Sequence, residues 1–148
     1  INAIWTRSFT MSSSSLVTGL SRPAEQAMQY GGFLKMDDCI FCKIIKGEIP
    51  SKKVYEDDDV LAFYDLEPQA PFHILIIPKQ HIKSAAEITP ENSAVVSKVF
   101  EAAAKIAKQF DLKDGFRIVN NCGDCAGQTV KHLHFHMLGG RDFGWPAG

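Results

Sequence analysis

His132-Leu133-His134-Phe135-His136-Met137-Leu138 is the stretch on which the reading of this chain turns. Successive side chains of a strand point to opposite faces, so strict alternation puts the three histidines on one side. Leu133, Phe135 and Met137 then face a core on the other. A lone histidine is usually solvated or a satisfied core residue. Three in alternation on an otherwise apolar strand must each find a hydrogen-bond partner or a metal. A strand with three imidazoles could bind zinc by itself. The interleaved apolar residues exclude an expression tag.

Working outward, regular punctuation divides the chain from Met36 onward. Asp38 is a candidate cap for a short helix carrying Ile40, Phe41, Ile44 and Ile45, which Gly47 stops. Residues 53–56 and 60–64 read as strands joined through Asp57-Asp58-Asp59, and residues 72–77 as a third, rich in branched side chains and ended by Pro78. Thr89-Pro90-Glu91 has the cap, first-turn proline and acid of a helix start. Val95, Val99, Ala103, Ile106 and Phe110 follow on one helical face until Gly115. Residues 116–120 and 130–138 complete about five strands beside two helices. The expected class is α+β with an antiparallel sheet.

Composition narrows the function classes. The chain has 148 residues, 45% apolar and 22% charged, with Lys+Arg 16 against Asp+Glu 17. That is the profile of one globular domain, with neither the basic excess of a nucleic-acid groove nor an apolar run of spanning length. Four cysteines in two C-x-x-C pairs are too sparse for a disulfide scaffold and suit metal or redox use in a reducing, cytoplasmic setting. Residues 1–35 differ from the rest: they lack sustained periodicity and carry Ser12-Ser13-Ser14-Ser15. They read as an unstructured leader or a segment translated upstream of Met36, with residues 36–148 as the domain. The alternative is an organellar transit peptide, since Arg7 and Arg22 lie in a Ser-rich stretch with no acid before Glu25.

The alternating stretch matches the signature of the histidine triad (HIT) superfamily of nucleotide hydrolases and transferases. Cys39-Ile-Phe-Cys-Lys-Ile-Ile, Asp65-Leu-Glu-Pro-Gln-Ala-Pro-Phe-His73, Ile77-Pro-Lys-Gln-His81 and Gly127-Gln128-Thr129 also stand where that family has them. The ending Trp145-Pro-Ala-Gly148 resembles the Hint branch, with Ala147 in place of a second proline. The resemblance covers about residues 37–148. It implies a five-stranded antiparallel sheet with one short and one long helix, pairing in a homodimer into ten strands. It also implies hydrolysis of nucleoside 5′-phosphoramidates, typically AMP joined to an amine, through a nucleotidyl-histidine. A neutral imidazole is a competent nucleophile at neutral pH, and a phosphoramidate nitrogen leaves easily once protonated.

By the same resemblance His134 is the nucleophile and His136 contacts the phosphate oxygens. Thr129 hydrogen-bonds the leaving group, Gln128 and Asn121 reach the phosphate, and His73 supports the other histidines. Asp65 takes the ribose hydroxyls. Ile40, Phe41, Ile44, Phe63 and Leu66 line a purine slot whose apolar walls discriminate poorly between bases, and Trp145 serves the neighbouring subunit's site. Cysteines at i and i+3 present two thiolates to one point. Zinc-binding relatives imply His81 and His132 as the partners of Cys39 and Cys42 in a structural Cys₂His₂ zinc site. Cys122 and Cys125 could instead complete a Cys₄ site, or form a solvent-facing pair that oxidises. The Cys₄ arrangement is disfavoured because this pair falls in a loop the family turns toward the phosphate. The rival functions are dinucleoside polyphosphate hydrolysis, against which the Trp145-Pro146 ending argues, and a non-catalytic nucleotide- and zinc-binding regulator. A redox role for Cys39 and Cys42 lacks the βαβ context it would need.

Overall fold

The computed structural model describes residues 38–147, so the leader expected at residues 1–35 lies outside the described residues. Short apolar runs separated by polar turns give, in order, α1 (Ile40–Ile45), β1 (Lys53–Glu56), β2 (Val60–Tyr64), β3 (Phe72–Pro78), α2 (Ala94–Gln109), β4 (Phe116–Val119) and β5 (Phe135–Gly139). The strands form one antiparallel sheet in the order β1-β2-β3-β5-β4. β4 follows β3 through α2 and leaves a slot that β5 fills, so the histidine strand lies between β3 and β4.

The sheet is covered on both faces at its centre, and β3 is therefore buried along its whole length. Ile74 and Ile76 of β3 join Val60, Ala62, Phe135 and Met137 against Val99, Ala102, Ala103 and Ile106 of α2. On the other face Leu61, Phe63, Leu75 and Ile77 pack under Phe41 and Ile44 of α1. Each large aliphatic side chain so buried contributes about 1.5–3 kcal/mol. α1 is only six residues long, too short to hold itself, so this packing fixes it.

Four element ends differ from the sequence reading. β5 begins at Phe135, whereas an extended strand was expected from residue 130. His132 and His134 lie upstream of the ladder, whose last rung joins Val119 to His136. Alternation reports which way side chains face, and an extended segment keeps it without ladder bonds. α2 begins at Ala94, after a turn in which the Thr89 carbonyl accepts the N–H groups of Asn92 and Ser93 while Asn92 Oδ1 accepts that of Thr89. It ends at Gln109, and Asp111, with a φ of 54°, turns the chain away before Gly115 is reached. Asp38 makes no cap; the first helical carbonyl comes from Cys39, which receives the N–H of Lys43 at 3.0 Å.

Candidate active site and metal centre

The rungs of the sheet put the site's residues in rows. His73 pairs with Leu138 and Leu138 with Arg117; Leu75 pairs with His136 and His136 with Val119. Residues opposite one another share a face, so His73 and His136 stand on the α1 side near the open end of the sheet. There an open cleft of about 360 Å³ is lined by Asp65, Glu67, Gln69, His73, Val119, Asn121, Thr129, His136 and Leu138.

The hydrogen bonds set the tautomers. The Gln69 N–H donates to His73 Nδ1 at 3.0 Å, so His73 carries its proton on Nε2. That proton is given to His136 Nδ1 at 2.9 Å, leaving the His136 proton on Nε2 as a donor. His134 is fixed differently: its Nδ1–H donates to the carbonyl of His132 at 2.6 Å, which leaves Nε2 with a bare lone pair. The rings of His134 and His136 lie 5.2 Å apart, and the Phe41 ring meets His134 edge-on at 5.3 Å. One ring thus offers a lone pair and its neighbour a proton.

Burial, with the neighbouring His134 and His73 adding to it, pushes His136 down to about 4; burial also lowers His73, against the opposing charge of Asp65. Both rings are therefore neutral at pH 7. An unfolded chain takes up the His136 proton near pH 6.5, whereas the folded protein resists it until about pH 4. The unfolded state binds more protons in that window, so stability is full above it and falls as the pH is lowered through it. Melting curves from pH 8 to pH 4 should show this acid slope, and His136→Asn should flatten it. An unchanged slope in the variant contradicts the assignment.

Asp65 follows β2 and closes a turn, its Oδ1 accepting the Glu67 N–H at 2.8 Å. Its Oδ2 lies 3.4 Å from His73 Nε2 and 3.8 Å from His136 Nδ1. The trio Asp65, His73 and His136 could be read as a metal cluster, but two ring nitrogens 2.9 Å apart already share a proton.

Cys39, Cys42, His81 and His132 converge on the other side of the His134 segment. His132 Nδ1 lies 3.5 Å from Cys39 Sγ, 3.6 Å from Cys42 Sγ and 3.2 Å from His81 Nδ1, which is itself 3.2 Å from Cys42 Sγ. A tetrahedral zinc with ordinary Zn–S and Zn–N bonds spaces its ligand atoms about 3.3–3.8 Å apart. The four donors fit such an ion. The Nε2–H of His132 donates to the Pro78 carbonyl at 2.9 Å, which turns the unprotonated Nδ1 toward the cluster. Without a cation these groups are poorly served: burial, then Cys39, pushes the Cys42 thiol up to about 11, and burial pushes His132 down to about 4. A bound cation would favour the thiolates and the neutral imidazoles. Cys122 and Cys125 lie outside this cluster, both exposed and unbonded.

Other expected residues are placed variously. Asn121 and Thr129 line the cleft. Gln128, expected at the phosphate, instead braces its own loop: Oε1 accepts the Gly123 N–H, and Nε2 donates to the carbonyls of Lys83 and Val130. Its side chain is buried, and these three backbone groups supply the partners its amide needs there. Phe41, Ile44 and Phe63 are packed together and buried, whereas Ile40 is 46% and Leu66 97% exposed, so the five do not form one wall. Trp145 is 88% exposed, two residues beyond Phe143, whose ring has the guanidinium groups of Arg117 and Arg141 at 4.8 Å and 4.2 Å from its centre. Sequence reasoning missed Asn120, whose Nδ2 donates to the His134 carbonyl at 2.7 Å. It extends the β4–β5 pairing by one side-chain bond past the last rung. It also missed Gln69, whose contribution is a main-chain N–H that no residue type announces.

The comparisons agree with this geometry. Residues 46–143 match the HIT domain family. An uncharacterised HIT-like protein of Synechococcus elongatus is 52% identical over 112 residues, covering 76% of this chain and 98% of that protein. The 14 kDa zinc-binding protein of Zea mays is 48% identical over 118 residues, 77% of this chain and 92% of its own. The crystal structure of a HIT family hydrolase from Legionella pneumophila superposes with a TM-score of 0.73 at 45% identity, covering 75% of this chain and all of that one. With its histidines and cysteines arranged as described, the chain belongs to the HIT domain family.

Proposed function

We propose that this protein hydrolyses nucleoside 5′-phosphoramidates, of the AMP-amine type, through a covalent nucleotidyl-His134. The observation that carries the reading is the 2.6 Å bond from His134 Nδ1 to the His132 carbonyl, which leaves Nε2 with a bare lone pair on a ring 5.2 Å from that of His136. In the first step Nε2 of His134 attacks phosphorus as the P–N bond breaks, and the leaving nitrogen takes its proton from solvent and departs as the amine. His136 Nε2–H meets the charge that gathers on a non-bridging oxygen. In the second step water attacks the same phosphorus, the P–Nε2 bond to His134 breaks and the water's proton passes to solvent, releasing the nucleoside monophosphate and restoring His134.

Asp65 and the cleft beside it receive the ribose, Thr129 faces the leaving group and Asn121 the phosphate, while Gln128 holds the loop that carries them. The base is received beside Ile40, the exposed residue at the start of α1, while Phe41, Ile44 and Phe63 form the buried cluster that seats that helix. Cys39, Cys42, His81 and His132 hold a zinc whose part is structural. With all four positions supplied by the chain, the ion would serve to lock α1 to the His132 segment. The working unit is a homodimer joined through the β4 edge and α2, where Phe116 and Phe100 are 40% and 50% exposed, with Trp145 reaching the partner's cleft.

Incubation with an AMP-amine conjugate tests the reaction. Release of AMP and amine is expected, with dinucleoside polyphosphates cleaved much more slowly; the reverse preference would move the protein to the other hydrolase reading. Asn120→Leu should lower kcat about tenfold with KM nearly unchanged, because it frees the backbone that orients the nucleophile without touching the nucleotide. An unchanged kcat would show that the Asn120 bond is idle.

A further inference from the structure

Cys122 and Cys125 are left over by the site and by the metal cluster. Both are exposed and unbonded, and they sit in the loop between β4 and β5. Asn121 immediately before Cys122, and Thr129 four residues after Cys125, line the cleft. Asp124–Ala126 makes one tight turn, flanked by Gly123 and Gly127 at φ 83° and 79°, each with open space around its Cβ position. The fastening of this loop is specific. Gly123, between the two cysteines, donates its N–H to Gln128 Oε1 at 3.0 Å, and its carbonyl accepts the Gln128 N–H at 3.1 Å. Gln128 is in turn tied to the carbonyls of Lys83 and Val130 and is the neighbour of Thr129. Lys131 pairs with Asp124 across the same loop.

We propose that Cys122 and Cys125 form a dithiol modification site that takes small-molecule disulfides, and that its closure is felt at the cleft through Gly123 and Gln128. One cysteine thiolate attacks a sulfur of the small disulfide, forming a mixed disulfide and releasing one small thiol. The second cysteine attacks the protein sulfur of that mixed disulfide and releases the other. The protein gives up two electrons and two protons, and the small disulfide is reduced to two thiols. In this proposal closure over two intervening residues, which holds the two Cα atoms within about 4.4–6.8 Å, bends the chain at Gly123. Gly123 is the residue able to take up the change, having no side chain and a positive φ. That bending pulls its N–H from Gln128 Oε1 and loosens the segment bearing Thr129. The kinetic readout rests on the phosphoramidase reading; formation of the disulfide and its structural effect do not.

The test treats the metal-loaded full-length protein with oxidised glutathione. Expected are a mass lower by two hydrogen atoms, a peptide map joining Cys122 to Cys125, and displaced amide NMR signals for Gln128 and Thr129. Affinity for AMP, and kcat/KM on the AMP-amine conjugate, should fall about threefold or more, as for loss of one or two hydrogen bonds at a site. Cys125→Ser should stop at one glutathione adduct on Cys122. Cys122→Ser/Cys125→Ser should keep the reduced protein's AMP affinity under oxidation. Adducts that never close to a ring, or a closed ring with Thr129 signals and AMP affinity unmoved, would overturn the proposal. If neither form cleaves the conjugate, the phosphoramidase reading fails while the mass and NMR results still decide this one.

Discussion

His134→Ala is expected to lower turnover of an AMP-amine conjugate roughly 10³- to 10⁴-fold while leaving the melting temperature and AMP affinity nearly unchanged. Its imidazole makes one local bond, to the carbonyl two residues back, and a ring contact with Phe41. The core rests on Leu133, Phe135 and Met137 on the opposite side. Removing the ring therefore takes away the nucleophile more than it takes away packing. His136 and His73 keep their mutual bond and their neutral state, so the binding half of the site persists. Steady-state kinetics beside calorimetric AMP binding separates the two effects. Substantial turnover by this variant would refute a nucleotidyl-His134, whereas a lost fold would assign the ring a structural part.

Cys39→Ser/Cys42→Ser should abolish metal binding and lower the melting temperature by roughly 10 °C or more, since a four-ligand zinc contributes several kcal/mol of folding free energy. The loss should also reach catalysis. His132 gives its ring to the Cys39, Cys42 and His81 cluster and its carbonyl to His134, so a single residue ties the proposed metal seat to the orientation of the proposed nucleophile. Cys122→Ser/Cys125→Ser should retain about one zinc per chain, because those thiols lie outside the cluster. Metal analysis of the purified variants measures both expectations. Zinc retained without Cys39 and Cys42, or lost without Cys122 and Cys125, would displace the site from its present seat.

Much of this architecture was legible in the sequence because burial imposes periodicity. The face Val99, Ala103 and Ile106 located α2, and the dense branched run of β3 announced a strand, which the fold covers on both sides. The metal cluster and the cleft were legible through motif resemblance, which placed residues distant in the chain, such as Cys42 and His132, in one neighbourhood. What escaped was set by hydrogen bonding. The segment holding His132 and His134 alternates like a strand yet makes no ladder, and nothing in side-chain order distinguishes the two. A lone asparagine after β4 gives no sign that it will bond the nucleophile's carbonyl. Gln128 could serve either phosphate or loop by its chemistry, and only the fold shows three backbone groups claiming its amide.

The central claim is a covalent nucleotide on His134, and trapping it is the most direct measurement. Metal-loaded protein mixed with an AMP-amine conjugate and quenched within the first turnover in alkaline denaturant, where a phosphorylated imidazole persists, should gain the mass of one adenylyl group. Peptide mapping should place that group on His134, and His134→Ala should show none. Release of AMP at the full rate with no adduct formed, or an adduct on His132 or His136 instead, would contradict the account.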